Sequence, residues 1–254
     1  MGARSFAAVA ALATLVVAAP VSAQEEGSAP KDTTKGAYVS VGVGGNWASN
    51  PSWSYADNGT LYGLAYTENN NGTVGLGGGI SVSPAIGYDF GNSVRAELSY
   101  TYNAASIGQS TANASGTWGG FSYSGSGNLA TTGTVSTNSV LASAYYDIPT
   151  KSKFTPYVGG GIGWTGVSVP AQNVAFTGTI DGESVTIPSE GQGGSASAFG
   201  YQAKIGVSYL AAEQADVFVE GVYQGNTSVT IGKSSYGSIN NFGVRAGLRY
   251  RFGK

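Results

Sequence analysis

Every second residue of 241–252 is apolar: Phe242, Val244, Ala246, Leu248, Tyr250 and Phe252. The residues between them are Gly243, Arg245, Gly247, Arg249 and Arg251. Side chains on a strand alternate between two faces, so this stretch predicts a strand with one apolar face and one glycine–arginine face. The same period recurs along the chain. Residues 37–47 set Val39, Val41, Val43 and Trp47 against Tyr38, Ser40, Gly42, Gly44 and Asn46. Residues 74–90 set Val74, Leu76, Ile80, Val82, Ile86, Tyr88 and Phe90 against glycines, serines and Asp89, with Pro84 on the apolar side. Pro84 lacks an N–H, so it costs one ladder bond or marks a bulge. Further strands are expected over 94–103, 139–148, 154–166, 198–210 and 216–225. Eight strands result.

The connections have a rhythm of their own. Those after odd-numbered strands are long (50–71, 104–134, 168–195) or moderate (226–237), polar, and rich in Ser, Thr, Asn and Gly. Those after even-numbered strands are short (91–92, 149–153, 211–215). Gly91-Asn92 reads as a two-residue hairpin turn, and Asp181-Gly182 centres a small hairpin inside the third long segment. Short turns at one end and long loops at the other predict an all-β, eight-stranded, antiparallel up-and-down transmembrane β-barrel with short periplasmic turns and long outer loops. A soluble barrel with its apolar face inward is the competing arrangement. Two features favour apolar-outward. Aromatics cluster near strand ends on the apolar face, as belts at two membrane interfaces require: Tyr88, Phe90, Tyr100, Tyr102, Trp164, Tyr209, Tyr250 and Phe252, joined by Tyr146, Phe154 and Phe199. The opposite face is thick with glycine, which suits a narrow lumen and would only weaken a solvated face.

The amino terminus agrees with this arrangement. Residues 1–23 carry a basic start, an apolar run over 6–19 and Val21-Ser22-Ala23, the small-x-small pattern of a signal peptide cleaved near Ala23. The run is too short for the ~20 residues of a spanning helix. Residues 24–36 read as a periplasmic linker, and 37–254 as the outer-membrane barrel.

Composition narrows the function. The chain has no Cys and no His. Disulfide scaffolds, Ser-His-Asp triads, Cys-His pairs and His-ligated metals are therefore out of reach, and neither a catalytic site, a metal nor a cofactor is expected. The net charge of −2, which loses a further positive charge with Arg4, gives no footprint for nucleic acid. The glycine clusters at 77–79 and 159–161 lack the Lys-Ser/Thr and the helix of a phosphate loop.

Three segments carry a resemblance: 38–45 (YVSVGVGG), 155–163 (TPYVGGGIG) and the closing 243–252 (GVRAGLRYRF). They are similar to the surface-antigen and opacity-type branch of OmpA-like eight-stranded outer-membrane barrels, over 37–252. The resemblance implies a barrel in outer-membrane lipid, and the absence of His argues against an outer-membrane enzyme. It implies assembly through a terminal aromatic residue read by the barrel-assembly machinery; here Phe252 is followed by Gly253 and Lys254. It also implies outer loops that meet a host or environmental surface ligand. The loop contact candidates are Trp53, Tyr55, Tyr62, Tyr66, Trp118, Phe121 and Tyr123, since exposed aromatics are favoured contact residues. The lumen candidates are Arg95, Glu97, Lys204, Glu220, Arg245 and Arg249, with Asp89, Asp147 and Arg251 nearer the periplasmic mouth. They form either a salt-bridge plug that shuts the barrel or the charged lining of a small-solute porin.

Overall fold

The computed structural model describes residues 35–252 apart from 131 and 192. The predicted signal peptide, nearly all of the linker, and Gly253-Lys254 lie outside the described residues. Sixteen strands follow in chain order: β1 (Gly36–Ala48), β2 (Ser52–Leu61), β3 (Leu64–Thr73), β4 (Gly78–Asp89), β5 (Val94–Ser106), β6 (Ser110–Trp118), β7 (Phe121–Ala130), β8 (Thr134–Asp147), β9 (Phe154–Val169), β10 (Gln172–Ile180), β11 (Glu183–Gly191), β12 (Gly194–Ala212), β13 (Ala215–Asn226), β14 (Val229–Ile231), β15 (Ser234–Tyr236) and β16 (Asn240–Arg251).

Eight of them close a barrel in the order β1-β16-β13-β12-β9-β8-β5-β4, every pair antiparallel. These are the eight expected strands. Their apolar residues point out: Val39, Val41, Ile86, Leu98, Val158, Ile162, Ile205, Val219, Val244 and Leu248 are all exposed. The polar set points in and is buried. A soluble fold of this surface would strand a continuous apolar band in water; a bilayer receives it without cost. Pro84 interrupts the β4–β5 ladder without a slip, because Val82↔Tyr102 and Ala85↔Ser99 keep one register on either side.

The long loops are not loops. Each is a β-hairpin, and the four hairpins pair side to side into a second sheet in the order β11-β10-β7-β6-β3-β2-β15-β14. This corrects the expectation of irregular outer segments. The turns explain the hairpins: Tyr62-Gly63, Gly119-Gly120 and Asp181-Gly182 all have positive φ at both central residues, the handedness that matches strand twist. The fourth turn, at Gly232-Lys233, has positive φ at its first residue only. The Asp181-Gly182 hairpin was legible from the sequence, whereas the others were read as loop. Residues 74–77 precede the barrel strand instead of opening it, with Leu76 bridged to Ile107. The β4–β5 turn spans 91–93, closed by the Phe90 amide donating to the Val94 carbonyl at 3.0 Å, with positive φ at Gly91 and Ser93 and not at Asn92.

Candidate functional site

The lumen is built from the inward positions of the barrel strands, and it is full. Near the periplasmic end Arg95 on β5 is wholly buried. Its Nε and Nη2 donate to the two carboxylate oxygens of Asp147 on β8 at 2.6 and 2.9 Å, a bidentate pair. Arg95 Nη1 donates to the Tyr38 hydroxyl at 3.2 Å, and that hydroxyl donates to Glu97 Oε2 at 3.1 Å. Tyr145 donates to the other Glu97 oxygen at 3.0 Å. Lys204 lies between two carboxylates, 3.7 Å from Glu97 and 3.4 Å from Glu220. Glu220 accepts from Tyr157 at 2.9 Å and sits 3.8 Å from Arg245 Nη1. Arg249 and Arg251 share Asp216 at 3.4 and 2.6 Å. Arg95, Glu97, Lys204, Glu220 and Arg245 are thus joined into one connected set, with Tyr38 as the link between Arg95 and Glu97. Arg249 stands apart on Asp216, stacked over Tyr38 and Phe218 at 5.2 and 5.6 Å. Asp89 is buried at the periplasmic end and accepts from the Gly91 amide at 2.9 Å.

Four aromatic side chains fill the space between these charges, and sequence reasoning gave them no role. Each lies over a glycine directly opposite on the next strand: Tyr38 on Gly87, Tyr145 on Gly159, Tyr157 on Gly206 and Phe218 on Gly247. A Cβ on any of these glycines would come within 2.1–2.5 Å of the ring. The inward glycines are therefore seats for rings, the cross-strand pairing that rescues glycine in a sheet. Arg95 sits over the Tyr145 and Tyr157 rings at 4.8 and 5.1 Å, so its guanidinium is held on its faces as well as its edges. The void left among Ser40, Arg95, Glu97, Lys204, Glu220 and Arg249 is about 10 Å³, room for one water at most.

Above the ionic set lies a neutral layer. Gln224 crosses it: its Nε2 donates to Ser139 at 2.8 Å, while its Oε1 accepts from Asn103 and from Arg245 Nη2, both at 3.3 Å. Gln202 donates to Ser143 at 2.7 Å, and Asn46 to Asn241 at 3.0 Å. Above this layer is an apolar cap. Val135 on β8 and Val167 on β9 meet Val229 on β14 and Ile239 beyond β15, all buried, with Leu76, Ile107, Val169 and Tyr236 around them. The last hairpin thus folds its apolar side into the barrel mouth.

The aromatic candidates fall at the two ends of the barrel's outer surface. Tyr88, Phe90, Tyr209, Tyr250 and Phe252 stand at the end of the short turns. Tyr88–Phe90 and Tyr250–Phe252 pair edge-on at 5.2 and 5.3 Å, and Phe154–Tyr209 lie 4.9 Å apart. Tyr100, Tyr102 and Trp164 stand toward the other end, Trp164 directly across from Phe199. Sequence reasoning missed Trp47, Tyr201, Tyr223 and Phe242, which continue that upper girdle through Trp47↔Phe242 and Phe242↔Tyr223. All four lay on the apolar face of the alternation and could have been included.

The loop aromatics divide. Trp53, Tyr55, Tyr66 and Tyr123 are half-buried on the inner side of the second sheet. Tyr55 and Tyr66 both donate to Asp57 Oδ2 at 3.1 Å, and Trp53 Nε1 donates to the Thr111 carbonyl at 3.2 Å. Tyr62, Trp118 and Phe121 are exposed, Tyr62 at 89% and Phe121 at 82%, on adjacent hairpin tips joined by the Gly119 amide donating to the Ala65 carbonyl at 2.9 Å. Asp57 also receives Lys233 Nζ at 2.7 Å, which ties the first hairpin to the last. The Lys233 ammonium, with the Asn58 amide and the two tyrosine hydroxyls, holds the Asp57 carboxyl down at about 2, and the bond to Asp57 raises the Tyr66 hydroxyl above its ordinary value.

Comparison with known proteins sets this geometry in a family. A family model described as outer membrane protein beta-barrel domain matches residues 9–252. Among solved structures, Neisserial surface protein A is similar at 17% identity and a TM-score of 0.48, covering 87% of this chain and 99% of that one. Outer membrane protein OprG from Pseudomonas aeruginosa is similar at 13% and 0.38, covering 87% and 98%. The attachment invasion locus protein Ail of Yersinia pestis, in complex with the heparin analogue sucrose octasulfate, is similar at 13% and 0.34, covering 85% and 99%. No curated protein matches the chain in sequence. With the family model spanning nearly the whole chain and a closed eight-stranded barrel beneath it, the chain belongs to the outer membrane protein beta-barrel family and is a protein of the bacterial outer membrane.

Proposed function

We propose that this chain is a closed, non-conducting outer-membrane barrel whose hairpin sheet is presented above the membrane for contact with another surface. The observation that carries the reading is the filled lumen. An ionic set, a neutral layer and an apolar cap succeed one another along the axis, and the void within the ionic set is about 10 Å³. Charged linings tune conduction only where a path exists, so the porin reading is the weaker one. The contact surface would be the exposed tips of the first two hairpins, where Leu61, Tyr62, Leu64, Trp118 and Phe121 stand clear of the sheet. Large exposed aromatics of this kind are the residues that anchor protein contacts. The reading is non-enzymatic: the chain has no histidine, its lumen carboxylates Glu97, Asp147, Asp216 and Glu220 are each engaged by a cation, and Asp89 is held by the Gly91 amide. It retains cleavage of a signal peptide near Ala23 and recognition of Phe252 by the assembly machinery.

Planar-bilayer recording tests it. The wild type is expected to be silent, while the Glu97→Ala, Glu220→Ala double variant, in which Lys204 loses both its carboxylates, is expected to flicker open. A steady wild-type current at neutral pH would overturn the closed-barrel reading. In parallel, cells displaying Tyr62→Ser with Phe121→Ser should adhere less well than wild type; equal adhesion removes the tips as the contact.

A further inference from the structure

The outward side of the second sheet has a composition that solvation alone does not explain. Val229 and Tyr236 belong to the apolar cap, and Tyr236 is paired with Trp53, so these residues mark the inner side. The alternate positions face out. Across six strands one register row reads Ser54–Asn71–Asn113–Ser126–Thr179–Ser184. The next row reads Ser52–Thr73–Thr111–Asn128–Thr177–Thr186. Every residue in both rows is exposed, and every one is a hydroxyl or an amide. An ordinary solvated surface carries roughly 25–35% Lys, Arg, Glu and Asp, and none occurs in these rows. The sheet's charges lie outside these two rows: Asp57 and Glu68 on the inner side, Asp181 and Lys233 at turns, Glu183 beside the 181–182 turn, and Glu190 in the register pair with Asn173 at the far end of β11.

The groups are also ordered before anything binds. The Thr73 and Thr111 hydroxyls lie 2.9 Å apart, and those of Thr67 and Thr117, further up the same strands, 2.8 Å. Asn113 Nδ2 donates to Asn71 Oδ1 at 3.2 Å. Threonine is stiff at χ1, so a partner binding here freezes little further side-chain motion. Each hydroxyl can donate one bond and accept two, and each amide can do both. That repertoire matches a partner whose own groups are hydroxyls in mixed orientations. It does not match sulfate or phosphate, which call for Arg or Lys.

We propose that this outward face is a saccharide interface, taking the neutral sugar chains of the lipopolysaccharide that stands beside the barrel. The choice of source rests on continuity. The outer surface of the barrel runs from an apolar band through the girdle of Trp47, Phe242, Tyr223 and Trp164 directly into this uncharged wall. The wall therefore rises at the level where the leaflet's lipids give way to their sugars.

The test uses the full-length chain refolded in detergent and three immobilised probes: neutral polysaccharide released by mild acid from smooth lipopolysaccharide, dextran, and dextran sulfate. Retention on the released polysaccharide, and on neither dextran, is the expected result. Asn113→Glu with Ser126→Glu should weaken retention roughly tenfold, the scale of unpairing one or two polar contacts. Its heat-modifiable gel mobility should stay that of the folded barrel. Should that variant fail to fold, Thr73→Val with Thr111→Val removes hydroxyls at near-constant shape and should weaken retention likewise. Absence of retention, unchanged retention in a folded variant, or equal retention on dextran would overturn the assignment.

Discussion

Arg95 shows how a charge is made tolerable in the middle of this molecule. It has a bidentate carboxylate, a tyrosine hydroxyl and the faces of two rings, and room beside it for one water at most. Replacing it by Ala strands the Asp147 carboxylate, which should cost about 3–5 kcal/mol. Arg95→Met with Asp147→Leu should recover most of that, because a well-packed apolar pair often replaces a buried ion pair at no loss. Urea titration of the barrel in lipid vesicles reads both; a single variant within about 1 kcal/mol of wild type would contradict the account, since exposed pairs are worth no more than that. The inward direction of Arg95 was legible in the sequence from alternation alone. Its partner was not, because Asp147 comes from a strand whose offset against β5 no local pattern reports. The lumen tyrosines were missed for a related reason. A tyrosine on the glycine face looks out of place until its opposing glycine is known, and that again is a matter of register.

At the level of elements, the outer hairpins are joined to one another by ladders shorter than those that close the first three of them. β3 pairs with β6, β7 with β10 and β2 with β15. The last of these junctions carries the Asp57–Lys233 ion pair, and its dependence on pH has a definite sign. Asp57 is held at about 2 against an ordinary 3.8, so its contribution is complete above pH 3.8 and is lost only as pH falls through about 2. Amide exchange of 234–236, corrected for intrinsic rates, should therefore be flat from pH 7 to pH 4 and rise below pH 3. Asp57→Asn should show the faster exchange from pH 7 to pH 4 and converge with wild type as pH falls through about 2, and high salt should narrow the difference, since Lys233 is largely exposed. A rise already present at pH 5 would mean the ion pair does not hold the junction. The hairpins themselves were half legible. Gly119-Gly120 between two Ser/Thr/Gly tracts is a hairpin signal. Tyr62-Gly63 is not, because a bulky residue at positive φ defies the usual preference. Pairing between separate hairpins had no signature, since both partners are polar outside and mixed inside.

On the scale of the whole molecule, the fold is an inversion: what other proteins bury, this one exposes, with Leu248 and Val244 outward and Arg245 and Arg249 inward on one strand. The same substitution should therefore have opposite tolerances on the two faces. Ala246→Arg, midway between the girdle residues Phe242 and Tyr250, should cost about 2–4 kcal/mol in vesicle-based unfolding, falling toward zero for arginine placed near either girdle. Equal cost at both depths would argue against a lipid-facing surface. The barrel was readable from sequence because its two faces differ so sharply; the second sheet was not, because neither of its faces meets lipid. Among the described residues, β11 and β14 have no ladder partner on their outer flanks, although Ile231 of β14 lies against Gly194 of β12, and Pro188 denies a donor to the β11 flank. The lower ring is complete, so its girth is fixed by strand number and stagger. The upper ring has a slit. The last hairpin is pinned in the barrel mouth through Val229, so any change of girth falls to the β11 end of the sheet, where the twist of the rungs can alter like a split collar on a rigid pipe without a single rung being broken.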